Sequence, residues 1–228
     1  MTCSRCEGTI TSSWTPDRGP SNNGREIARR FARQVLEDAV RYHRQHRFGF
    51  EYRSGSASFA ITDAGYARLL SMLPRLDFDA NVTTMREGAF ASYNQRADRV
   101  QFRPENLNRP SASGAMLHEL VHALQDMSRF RGLHVEIEAT AYMAQALWVA
   151  ADAGDVQRRL QAQARQPSMG DAGAIYRQAA QVCLDLGLHR AVRTIGRAEL
   201  APVEQALRAS ASYGPFADRT YSANGIAR

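Results

Sequence analysis

In the stretch Met116-Leu117-His118-Glu119-Leu120-Val121-His122-Ala123-Leu124, two histidines stand four residues apart and a glutamate directly follows the first. On a helix this spacing brings both imidazoles to one face, where each can give one nitrogen to a divalent zinc ion. Glu119 then lies beside that face, placed to take a proton from zinc-activated water and pass it to a leaving amine. Met116, Leu117, Leu120, Val121 and Leu124 form an apolar seam on the other side. The seam predicts a buried helix whose histidines point into a cleft. Zinc sites that hydrolyse bonds keep three protein ligands and one open position. Downstream, Val135–Tyr142 offers Glu136 and Glu138, with His134 as a further candidate. The two glutamates lie about 160–200° apart around a helix, so one or the other ligates, not both. Glu138 follows His122 by sixteen residues, enough for a helix end, a turn and an antiparallel return.

The elements that must position these groups can be read from periodicity. Residues 1–23, rich in Ser, Thr, Pro, Asn and Gly, read as a polar leader. Residues 24–228 read as one domain. Ile27, Phe31, Val35, Leu36, Ala39 and Val40 recur at helical spacing to about His46. Phe48, Phe50 and Tyr52 alternate, as do Ala57, Phe59 and Ile61, which predicts a hairpin turning at 54–56. Thr62 or Asp63 caps a helix that stops around Pro74. Residues 77–87 read as loop, and 89–93 with 99–103 as a second hairpin ended by Pro104. Ser111 or Ser113 caps the His118–His122 helix, which runs to about Arg131 with Gly132 closing it. A helix follows over roughly 135–153. Three or four more fill 155–212, with breaks at Pro167-Ser168, Gly187 and Gly196, and 213–228 show no period. The fold class is α+β, helix-dominated, with a small antiparallel sheet early in the chain.

His118-Glu119-Leu120-Val121-His122-Ala123 with Glu138-Ala139 resembles the gluzincin branch of the zincin metallopeptidases. A metzincin would carry a histidine six residues past the second one, where this chain has Ser128. The Phe102-Arg103-Pro104 strand end, the Pro110 loop and the active helix also look like the compact zinc metalloprotease effectors that some bacteria inject into host cells. The resemblance spans about residues 100–142. It implies a zincin-like fold holding one zinc ion on His118, His122 and Glu138, with Glu119 as general base and acid. It also implies a substrate laid antiparallel on an edge strand, here 88–93 or 99–103. A donor to the developing oxyanion is needed as well. Tyr142 shares the face of Glu138, and Tyr221 and Arg219 are alternatives in the late segment. Gln125 and Asp126 could orient the histidines.

Composition narrows the setting. The 228 residues carry 29 Lys+Arg against 23 Asp+Glu, a formal +6, and every one of the basic residues is Arg. The arginines are scattered among acids without a reading motif, so an arginine-driven nucleic-acid binder ranks last. Absence of lysine fits either GC-rich coding or selection against ubiquitination inside a host cell. Cys3 and Cys6 have no second pair with which to build a zinc ribbon, and Cys183 lies far away. No apolar run approaches a membrane span; the Ala-rich stretch 139–151 is interrupted by Gln145. The first twenty residues lack the apolar core of a secretory signal. The expectation is a secreted bacterial effector acting on a host protein or peptide, exported without a cleaved signal, with a cytoplasmic location as the alternative. A non-catalytic interaction protein on a zincin-like fold is the second functional reading.

Overall fold

The computed structural model describes residues 22–55, 57–80, 90–103, 107, 111–152, 154–166 and 170–226. Cys3, Cys6, Pro104, Pro110 and nearly all of the expected leader lie outside these residues. The first helix, α1 (Asn22–His46), begins slightly before the expected domain boundary. It leads into the hairpin β1 (Gly49–Ser54) and β2 (Ala57–Ile61), paired from Phe50 with Ile61 to Ser54 with Ala57. Thr62 caps α2 (Asp63–Met72), its Oγ1 accepting from the Gly65 N–H at 3.3 Å. Pro74 sits in a 3-10 turn, Leu73–Arg75, that finishes this helix.

Two of the three sheets are mixed rather than antiparallel, which corrects the sequence expectation. Strand β3 (Asp77–Asp79), too short to show alternation, falls in the expected loop and runs parallel to β5 (Arg99–Phe102). Strand β4 (Ala91–Asn94) pairs antiparallel with β5, giving the order β3-β5-β4. The late strand β7 (Val192–Ile195) pairs parallel with β1, giving β2-β1-β7. Strand β1 buries Phe50 and Tyr52 completely, and a partner on each edge satisfies its backbone polar groups.

Helix α3 (Ala112–Met127) carries the two histidines. Ser111 stands at its N-cap position without a side-chain capping bond. The helix stops at Met127, short of Arg131, because Arg129 turns left-handed at φ 52°. Gly132 does not close it but lies in β6 (Arg131–Leu133), where a Cβ would stand 2.6 Å from Glu136 Oε2 and the Phe130 ring. Space, not backbone freedom, demands glycine there.

Helix α4 (His134–Asp152) is buried along nearly its whole length. It packs against α3, α5 (Val156–Arg165), α6 (Gly170–Asp185) and α7 (Arg197–Ala209). The chain end, read as aperiodic, holds a 3-10 turn at Gly214–Phe216 and β8 (Thr220–Ser222), antiparallel to β6. It also caps α4: the His134 and Val135 N–H groups donate to Arg219 O (2.8 Å) and Ala217 O (3.1 Å), filling two of the helix's free donors. Among the described residues no helix is long and apolar enough to cross a membrane.

Candidate metal centre

Packing of α3 on α4 builds the site. Met116, Leu117, Leu120, Val121 and Leu124 are almost wholly buried, and this seam leaves His118 and His122 facing the first two turns of α4. His118, His122 and Glu138 are all buried, and one ligand atom from each lies within 4.8 Å of the others, so the three could hold a metal ion. They are the one such group among the described residues.

The separations suit a metal cradle. His118 Nε2 is 3.3 Å from Glu138 Oε2, and His122 Nε2 is 3.5 Å from Glu138 Oε1. Charge-assisted hydrogen bonds draw in to about 2.7–2.9 Å. Ligand atoms at 2.0–2.1 Å from a tetrahedral ion stand about 3.3 Å apart. The observed spacing is wide enough to admit such an ion.

The remaining ring nitrogens are already committed. His122 Nδ1–H donates to Gln125 Oε1 (2.9 Å) and His118 Nδ1–H to Gln145 Oε1 (3.2 Å). Network logic fixes the Gln125 amide: its Nε2 donates to Ile137 O (3.0 Å) and to Thr140 Oγ1 (2.9 Å), so its oxygen must face the histidine. Thr140 is free to accept because its hydroxyl donates back to the α4 carbonyls of Glu136 and Ile137. With Nδ1 committed in this way, Nε2 of each imidazole faces Glu138 and is the atom that would meet a metal ion.

The charges of these groups act strongly on one another. Burial opposes ionisation of Glu138, but the charge of His122, the hydrogen bond and charge of His118, and His134 outweigh it and hold the carboxyl at about 2. Burial disfavours the charged form of His118, yet the Glu138 hydrogen bond and charge, with the charge of Glu119, raise its pKa. Glu119 is half-buried, and its charge acts on His118, Tyr142 and Tyr213.

The alternatives separate cleanly. Glu136 faces away from the histidines: it accepts from Tyr52 Oη–H (3.2 Å) and pairs with Arg197 Nε (3.2 Å). His134 is the first residue of α4, and its Nε2 is 3.6 Å from Glu138 Oε1, beside the three candidate ligands. Burial lowers its pKa. Asp126 does not touch a histidine; it accepts from Tyr93 Oη–H and Gly225 N–H, both at 2.9 Å, and so ties α3 to β4 and the chain end. Strand β5 is interior to its sheet and offers no free edge for a substrate, whereas β4 lies at the edge.

Tyr142 stands over His118, ring centroids 4.7 Å apart and edge-on. Its hydroxyl is 3.0 Å from that of Tyr213, a residue with no local signal because the late segment reaches the cleft only by tertiary folding. Burial raises the Tyr142 pKa to about 12, so it stays protonated. Two hydroxyls bring two hydrogens and their mutual bond uses one, leaving one to donate elsewhere. Tyr221 lies on β8 with a buried hydroxyl lacking a partner among the described residues. Burial and the charges of Asp126 and Glu138 raise its pKa. Arg219 stacks over the Phe216 ring at 4.4 Å, and its charge reaches His134. Gln145 is the other residue to which the sequence assigned no role at the site; a lone amide within an Ala-rich buried helix was its visible mark. The chain matches no protein-family model, no curated protein and no solved structure.

Proposed function

We propose that the protein is a zinc-dependent peptidase. The observation that carries this reading is the convergence of His118, His122 and Glu138 within 4.8 Å, with both outer ring nitrogens held by glutamine oxygens. Two nitrogens and one carboxylate are the donor set of hydrolytic zinc sites rather than structural ones. A zinc ion held there supplies Lewis acidity toward a carbonyl oxygen and toward water.

The chain's own groups do the rest. Glu119 carries a carboxylate next to His118 on the half-buried shoulder of α3, where it takes the proton of the attacking water and returns it to the amine nitrogen of the leaving peptide. The Tyr142–Tyr213 pair directs its uncommitted hydrogen at the oxygen on which negative charge develops. Strand β4, at a sheet edge, can hydrogen-bond an extended peptide. The setting we propose with this activity is a bacterial effector acting on a host protein; its support is the absence of lysine from a chain with 29 basic residues.

Glu119→Gln keeps the shape of the side chain and removes its basicity. Incubated with an unstructured protein substrate, this variant is expected to retain zinc and lose turnover. Retained turnover would refute the assigned role of Glu119. A wild type that is folded and zinc-free, and binds a partner without cleaving it, would favour the interaction-protein reading.

A further inference from the structure

A cavity of about 740 Å³ opens at the C-terminal end of α3. Its wall carries Arg68 from α2, Arg75 from the following 3-10 turn, and Arg129 just after α3, and among the described residues no Asp or Glu lines it. None of the three guanidiniums has an ion-pair partner among the described residues. Three unpaired like charges around one cavity repel each other and are held together by the fold rather than by mutual attraction. The ends of α2 and α3 nearby each place about half a negative charge there, so about two positive charges remain uncompensated. Ser58, Ser71 and Ser128 add hydroxyls to the same wall.

The wall is fixed by unusual backbone. Arg129 holds φ 52°, a conformation rare outside glycine. Its side chain lies against Gly225, where a Cβ would stand 3.0 Å from Arg129 Nε. Gly225 N–H in turn donates to Asp126 Oδ1. The cavity wall and Gln125, which orients His122, therefore share the last turn of α3.

From these features we infer that the cavity binds a small polyphosphate. Guanidinium forks match phosphoryl oxygens bidentately. The volume falls in the range of small-molecule sites and far exceeds one phosphate, and Arg68 and Arg75 sit two helical turns apart, about 10 Å along the axis. A chain of phosphoryl groups meets both arginines, and Met72 and Met127 offer an apolar wall to any organic group attached to it. This site is independent of the peptidase reading.

The test is isothermal titration of the full chain with orthophosphate, tripolyphosphate and a nucleoside triphosphate. Tripolyphosphate is expected to bind one per chain and at least tenfold more tightly than orthophosphate. Arg68→Gln/Arg75→Gln, both exposed on α2 and its extension, should weaken it by about a hundredfold, roughly tenfold for each guanidinium removed. The unfolding midpoint of the ligand-free protein should not move. The third ligand separates the sources: tighter binding than tripolyphosphate shows that the apolar wall is used, and equal binding shows that the phosphate chain alone is read. Tripolyphosphate binding that is absent, or unchanged in the double variant, overturns the inference. So does binding abolished instead by Arg165→Gln/Arg193→Gln, which line a different cavity.

Discussion

Gln145 offers the sharpest test of how the ligand shell is built. Its one hydrogen bond in the site is the acceptance from His118 Nδ1 at 3.2 Å, and its amide otherwise lies against Gly114 of α3. Gln145→Met keeps an unbranched side chain of similar length and removes the acceptor. Loss of such an outer partner weakens metal binding by about 10–100-fold, equivalent to about 1.4–2.8 kcal/mol. The same change should cost the metal-free fold about 1 kcal/mol or less, because one neutral hydrogen bond at a half-buried position is lost. Gln125→Met provides the contrast: this fully buried amide makes three hydrogen bonds. Its replacement should cost the fold about 3 kcal/mol as well as metal affinity. Zinc competition against a chromophoric chelator at fixed pH gives the first quantity, and urea unfolding of the metal-free protein the second. An unchanged zinc Kd in Gln145→Met would refute the claim that this bond orients His118.

Three further outcomes follow from the geometry. Tyr213→Phe should lower kcat by about a hundredfold with little change in KM or zinc content; a normal kcat removes the hydroxyl pair from the mechanism. Glu136→Gln should leave zinc at wild-type stoichiometry while lowering stability by about 1–3 kcal/mol, because the Glu136 carboxylate holds Tyr52 and Arg197; zinc loss at unchanged stability would reverse the choice of ligand. Burial, only partly offset by the hydrogen bond to Phe48 O and the charge of Asp63, lowers the His43 pKa to about 4. The unfolded chain therefore binds the extra proton between about pH 6.5 and 4. Stability contributed by neutral His43 is present above pH 6.5 and should fall by about 2 kcal/mol between pH 7 and pH 5. Urea midpoints of wild type and His43→Gln check this, and an equal fall in both would exclude His43 as its source.

The parts legible in the sequence were those encoded locally. Four-residue spacing on an apolar seam specifies where His118, Glu119 and His122 point, and the first hairpin announces itself by alternation from Phe48 to Ile61. Glu138 was separable from Glu136 because two residues along a helix reverse direction. What stayed hidden depends on contacts distant in sequence. Strand β7 joins β1 across most of the chain, and β3 has three residues, too few for a period. Gly132 carries the composition of a helix stop, but its small size serves the approach of Glu136 and Phe130. Tyr213 gains meaning only because the segment that caps α4 also brings its hydroxyl to Tyr142. Asp126 looked equivalent to Gln125, yet one helical step turns it toward Tyr93 and Gly225 instead.

Zinc per chain in wild type, His118→Ala and Glu119→Gln, measured by elemental analysis after dialysis against metal-free buffer, tests the central claim most directly. On the proposed reading His118, His122 and Glu138 hold the ion, while Glu119 stands beside it. The expected values are therefore about one, none and one. A wild type that binds no zinc, or a His118→Ala protein that keeps a full equivalent, would contradict the account.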